Sequence, residues 1–283
     1  MERHQGHPQD DRTVGSPIRQ RHPPAAASHR PSGIASDEGA AKLPLRFPPL
    51  RPWLLGVLLA LAGAPALAQQ CPPTLERPQA RGDGVGRFYL GREIAFVMGH
   101  QGADWLERPE REREERPSLL LEALGVKPAD TIADIGAGTG YFAFRLAQMA
   151  PRGKVLAVDI QPEMLQKIRE RARESGIRNV EPVRGSATDP GLAPASVDLI
   201  IMVDVYHEFS HPCEMIRAIA RSLKPGGRVA LVEYRAEDAG VPIRPSHKMT
   251  RAQAEREMAV ADLRLVKSVD SLPWQHLLIF EKR

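Results

Sequence analysis

One eleven-residue run limits the possible folds more than any other part of this chain: Ile132-Ala133-Asp134-Ile135-Gly136-Ala137-Gly138-Thr139-Gly140-Tyr141-Phe142. An apolar stretch of strand character meets three alternating glycines and then a segment of helical pattern. Glycine accepts positive φ and leaves backbone amides open to a ligand. The helix that follows turns its amide-rich N-terminus toward the same point. The order strand, glycine turn, helix is the opening of a parallel α/β unit. The spacing Gly136-x-Gly138-x-Gly140 differs from the G-x-G-x-x-G of dinucleotide binders, because the bulky Tyr141 follows.

The alternation continues. Strands are expected at 131–135, 155–159, 180–183, 197–203 and 228–234, with helices through 147, over 162–174 and over 212–223. Two further strands, 263–269 and 275–281, flank Asp270-Ser271-Leu272-Pro273. This pattern predicts an α/β fold with a doubly wound, Rossmann-like, mostly parallel sheet and an antiparallel edge strand. The Pro/Gly-rich segment 236–246 is long enough to be a binding loop. Ahead of the sheet, residues 69–117 are expected to form a helical lid. Its charge run 110–116 reads as a solvated helix laced with i,i+4 pairs.

Charge narrows the partners. The pI is near 9.2, yet residues 1–52 hold eight Lys/Arg against five Asp/Glu, and residues 53–68 hold none. The remainder balances 31 basic against 30 acidic residues. That is no electrostatic footprint for nucleic acid. Residues 1–52 lack apolar periodicity and read as disordered or as a mis-assigned start. Residues 53–68 carry an apolar run and the small-x-small triplet Ala66-Leu67-Ala68. They read as a signal peptide, which places the protein in the periplasm or outside the cell. The other reading is a membrane anchor with a cytoplasmic domain. Cys71 and Cys213, the chain's two cysteines, read as unpaired thiols, a disulfide being permitted on export. Their spacing supports no metal site, and no acid cluster has ligand spacing.

Four features occur in order over residues 118–283: the glycine run with Asp134 ahead of it, Asp159 at the end of the second strand, the strand ending Val203-Asp204, and the loop Leu223-Lys224-Pro225-Gly226-Gly227. Together they resemble the class I S-adenosylmethionine-dependent methyltransferases. The resemblance implies S-adenosylmethionine as cofactor, with Gly136, Ala137, Gly138 and Gly140 around its methionine part and Asp134 steadying the loop. Asp159 would accept from the ribose hydroxyls and Ile160 would cover the adenine. Ser186 stands where the family commonly has an acid. Either Ser186 or Asp189 then meets the adenine, with Ala187 beside them, or the amine meets backbone.

Asp204 and the segment Tyr206-His207-Glu208 leave the strand end where ligands sit in such sheets. His207 is the candidate base, since its pKa lies near working pH, with Tyr206 beside it. The other reading has Asp204 and His207 fixing the loop and touching the cofactor. His100, Trp105 and Arg108 of the lid, and His247 after the long loop, are candidate substrate contacts. The expected activity is methyl transfer to a small molecule, with oligomeric state open. The alternatives are an inert cofactor-binding module and a nicotinamide-dependent oxidoreductase.

Overall fold

The structure, a computed structural model, describes residues 70–78 and 82–282. The expected signal at 53–68 and the stretch 1–52 lie outside these residues. Among the described residues no helix is long and apolar enough to cross a membrane.

The segment ahead of the main sheet is not the expected all-helical lid. It opens with a three-stranded antiparallel sheet of β1 (Leu75–Glu76), β2 (Gly84–Tyr89) and β3 (Arg92–Ala95). The hairpin turns on Leu90 (φ 47°) and Gly91 (φ 94°), two positive-φ residues of the kind that match strand twist in a two-residue loop. Tyr89 and Ile94 bury their side chains against Cys213. Cys71 and Cys213 form a disulfide with Cα atoms 5.7 Å apart, which corrects the reading as free thiols. Cys71 precedes the small sheet and Cys213 lies in the helix 212–222 of the main domain, so the bridge fastens the two together.

Three short helices follow: α1 (Ala103–Leu106), α2 (Arg111–Glu114) and α3 (Pro117–Ala123). The charge run is not simply a solvated face. Arg111 and Glu115 are buried, with Arg111 Nε donating to Glu115 Oε2 at 2.6 Å. Arg108 pairs with Glu114 at 3.0 Å and also with Glu115. Tyr234 Oη donates to Glu115 Oε1 at 2.7 Å. Packing turns this run inward because its charges satisfy one another.

The remainder alternates as expected: β4 (Thr131–Ile135), α4 (Tyr141–Met149), β5 (Lys154–Asp159), α5 (Pro162–Ser175), β6 (Val180–Arg184), β7 (Val197–Val203), α6 (Pro212–Ser222) and β8 (Leu223–Arg235). Then come β9 (Lys248–Met249), α7 (Arg251–Met258), β10 (Leu263–Val269) and β11 (Gln275–Lys282). The strand order is β10-β11-β8-β7-β4-β5-β6. Strands β4 to β8 run parallel, and β11 is antiparallel to both β8 and β10. The antiparallel strand therefore lies one place in from the edge, covered by β10.

Central strands such as Leu199-Ile200-Ile201-Met202 are apolar throughout because both faces are covered. Ile132, Leu199 and Ile201 pack with Leu146 of α4 and Ile168 of α5 on one face. Ala133, Ile135, Ile200 and Met202 pack with Ile216 and Ile219 of α6 on the other. The chain leaves β4 toward β5 on one side and returns at β7 on the other. The crevice opens at that reversal, beyond the strand carboxyl ends, where such sheets bind ligands.

Candidate active site

The glycine run shapes one end of the crevice. Gly136 and Gly138 have φ of 73° and 56°. A Cβ on Gly136 would lie 2.4 Å from Val205 Cγ2, and one on Gly138 would lie 2.5 Å from Leu106 Cδ1. The amides of Gly136 and Ala137 donate to the Val158 carbonyl at 2.8 and 2.9 Å. Asp159 holds the same loop from β5: its Oδ2 accepts from Gly138 N at 2.9 Å and its Oδ1 from Gln161 N at 2.8 Å. Burial still raises the Asp159 carboxyl above the usual range. Asp134 lies beneath, with Oδ2 buried and unpartnered. Burial, with Asp159 nearby, pushes its pKa up to about 7.

Asp204 takes φ of 50°, a left-handed conformation that a non-glycine residue rarely adopts. Its Oδ2 accepts from Gln275 Nε2 at 2.6 Å, and its buried Oδ1 has no partner. Burial, with Glu115 and Glu233 adding to it, raises this carboxyl well above its ordinary value. A partly buried acid with a left-handed backbone and one unpartnered oxygen at a strand end is the kind of group that a polar ligand can complete.

The other end of the crevice is built on His207. Its ring is buried, and Nδ1 lies 2.6 Å from Glu233 Oε2 on β8. Glu233 Oε1 also accepts from His207 N at 3.3 Å. Burial works against a charged imidazole, but the Glu233 carboxylate outweighs it and raises the His207 pKa. Arg92 of β3 fixes the backbone by donating to the His207 carbonyl at 2.9 Å, while pairing with buried Glu257 at 2.8 and 3.0 Å. Nε2 of His207 faces His247 Nδ1 at 3.1 Å. Burial and the neighbouring His207 lower His247 to about 4, so its ring is neutral. Burial pushes the adjacent Glu208 carboxyl up to about 7.

Both ends open into one cavity of about 660 Å³, within the usual range for small-molecule sites. Gly136, Gly138, Asp159, Ile160, Ser186 and Ala187 line one part of it, and Asp204, His207, Glu208 and His247 line another. Val97, Trp105 and Leu106 approach from the N-terminal segment, and Pro242, Ile243 and Arg244 from the long loop.

A family model described as a methyltransferase domain matches residues 127–276, just over half of the chain. The chain belongs to the class I S-adenosylmethionine-dependent methyltransferases. The chain is 35% identical over 105 residues to an arsenite methyltransferase of Halobacterium salinarum, covering 37% of this chain and 27% of that protein. It is 31% identical over 118 residues to the ubiquinone/menaquinone biosynthesis C-methyltransferase UbiE of Pseudomonas putida, covering 41% and 46%. The chain thus spans less than half the length of these curated relatives. A SAM-dependent methyltransferase structure from Aquifex aeolicus aligns with a TM-score of 0.61 at 24% identity, over 65% of this chain and 98% of that one. The neocarzinostatin O-methyltransferase NcsB1, solved with S-adenosyl-L-homocysteine and 1,4-dihydroxy-2-naphthoic acid, aligns with a TM-score of 0.55 at 18% identity, over 64% and 57%. At these identities the two structures establish the shared fold.

The fold places the candidate residues unevenly. Asp134 lies beneath the glycine loop, and Ala137 and Gly140 are the loop members that do not line the cavity, unlike Gly136 and Gly138. Tyr206 is corrected as a catalytic candidate: it is fully buried against Phe209 and beneath Arg92, away from the cavity. His100 faces Glu163 at 3.9 Å, and Arg108 is committed to Glu114, Glu115 and the Trp105 carbonyl, so neither reaches the cavity. Trp105 and His247 do line it. Glu233, Arg92 and Gln275 are not legible as site residues, since each acts on a partner distant in sequence.

Proposed function

We propose that this protein transfers a methyl group from S-adenosylmethionine to a small-molecule acceptor. The cavity carries the reading, because it joins Asp159 and Ile160 at one end to His207 and His247 at the other under a roof from two irregular segments. The residues fit the donor: Asp159 presents a buried carboxylate for the ribose diol, half-exposed Ile160 offers apolar cover, and the unpartnered Asp204 Oδ1 awaits a polar group. The bound donor supplies a methyl carbon on positively charged sulfur. The chain's own work is orientation and acceptor activation. Glu233 accepts from Nδ1 of His207, which leaves the Nε2 lone pair directed at His247 Nδ1 on the cavity wall, and the two histidines together present the acceptor side. The near-neutral charge of residues 53–283 supports a small acceptor over a polyanion. Relatives named for arsenite and for quinone precursors, and a structural neighbour holding a dihydroxynaphthoic acid, agree with that class.

Calorimetric titration of the full chain with S-adenosylhomocysteine, with NADH as control, tests the donor. Binding of NADH alone would restore the oxidoreductase alternative. A mass-spectrometric screen of small hydroxylated, thiol and amine acceptors tests turnover, and donor binding with no product from any class favours the inert module.

We also propose that the mature protein works in an oxidising compartment after export by residues 53–68. The Cys71–Cys213 bridge supports this, since such bonds persist where thiols are not kept reduced. A reporter active only after export, fused behind residues 46–80, would be silent if the proposal is wrong.

A further inference from the structure

We propose that His207, Glu208 and His247 form a binding site for a divalent transition-metal cation, Zn²⁺ by ligand type, at the acceptor end of the cavity. One donor atom from each residue lies within 4.8 Å of the other two. His207 Nε2 and His247 Nδ1 are 3.1 Å apart. Two imidazole nitrogens at Zn–N distances of ~2.0–2.1 Å in a tetrahedral shell stand roughly 3.3 Å from each other. The histidine pair is therefore already at chelating separation. Glu208 Oε1 is 3.9 Å from His207 Nε2, so a small rotation of its side chain completes the set. Two histidines and a glutamate leave a further position open, as in catalytic rather than structural zinc sites.

The surroundings are those of a ligand set. Metal-bound histidines donate their other ring N–H to a carboxylate or carbonyl, which fixes orientation and strengthens the ligand. Glu233 serves His207 in this way at 2.6 Å. Met98 N donates to Glu208 Oε1 at 3.1 Å and holds that carboxylate at the cavity wall. The nearby cation Arg92 is already committed to Glu257.

A sequence detail accounts for the use of His247. Residues 207–211 read His-Glu-Phe-Ser-His, the H-E-x-x-H spacing that on an α-helix puts two histidines on one face. Here residues 206–208 make a single 3₁₀ turn, and Phe209 is extended at ψ 119°. His211 is carried away and its ring bonds Ser210 Oγ at 3.0 Å. His247, from the far end of the long loop, fills the second imidazole position.

This inference rests on the acceptor reading above and deepens it. The open position faces the cavity and suits an oxygen of a hydroxyl or enol acceptor. His207 then serves as a ligand, with the cation polarising the acceptor oxygen.

The test is metal binding by the full chain after chelator treatment, read by Co²⁺ visible absorption and by zinc content after dialysis. One cation per chain is expected. His247→Ala and the milder His247→Gln should each weaken it at least tenfold, with thermal melts confirming the fold. Glu233→Gln should weaken it roughly tenfold to a hundredfold. His211→Ala should leave it unchanged. Absence of stoichiometric binding, or binding that survives both His247 variants, overturns the proposal. S-adenosylhomocysteine binding and methyl transfer by the same metal-free protein separate the two readings. If both persist without a cation, the cation's role at the acceptor is overturned while the methyltransferase reading stands.

Discussion

Glu233 Oε2 stands 2.6 Å from Nδ1 of His207, with both side chains shut off from water, although 26 residues separate them. A carboxylate so placed decides which imidazole nitrogen carries the proton and where the other points. Replacing Glu233 with Gln keeps the shape but removes the charge. Turnover should fall by about 10–100-fold with donor affinity unchanged. Steady-state kinetics beside calorimetry checks this, and an equal loss in both would move Glu233 to a purely structural role.

Asp159 joins the glycine loop to the donor end of the cavity. Asp159→Ala should weaken S-adenosylhomocysteine binding by roughly ten- to a hundredfold, the scale of a lost charged hydrogen bond. Calorimetry reads the loss directly, and near-unchanged affinity would remove Asp159 from the donor site.

Gly138→Ala places a Cβ against Leu106 in a left-handed backbone. Urea denaturation should show a loss of about 1–2 kcal/mol. Adding Leu106→Ala relieves the contact but not the backbone strain, so recovery should be partial; complete recovery would show that φ is not the cause.

The Cys71–Cys213 bridge closes a loop with a sequence separation of 142. Its removal by Cys71→Ser with Cys213→Ser should lower Tm on the order of 5–15 °C. Scanning calorimetry of both forms decides it, and equal Tm values would mean the bridge adds no stability.

The proton on Asp134 gives a stability signature. Burial pushes its folded pKa up to about 7, above the 3.8 of an unperturbed Asp. Across that window the folded state holds a proton that the unfolded chain releases. Stability from this group is therefore fully present below the unfolded pKa and declines as pH rises toward 7. Asp134→Asn should remove that slope, so the variant gains on the parent in Tm between pH 4 and 7. Parallel Tm curves would contradict the assignment.

The parallel core could be read because its signals are local. The strand at 131–135, the glycine spacing, Asp159 and the buried run 197–203 each occupy a single stretch of chain. The N-terminal cover misled because Phe88, Tyr89, Ile94 and Phe96 suit a helix face or a hairpin, and Leu90-Gly91, the turn that decides between them, gives a weak signal. The burial of Arg111 and Glu115 was equally hidden, since a charge run looks the same whether its partners are solvent or one another. His207, Glu233 and His247 come from three loops and strands that only the folded sheet brings together. No spacing rule joins them.

The two ends of the cavity have different origins. Strand ends make the floor of the cavity, and segments 97–106 and 242–247 close it without belonging to any central strand, the first over the glycine loop through Leu106 and the second beside His207 through His247. Exchanging segment 242–247 would retune which molecule is methylated while leaving the glycine loop and Asp159 intact. The architecture thus separates a fixed chemical tool from an interchangeable grip.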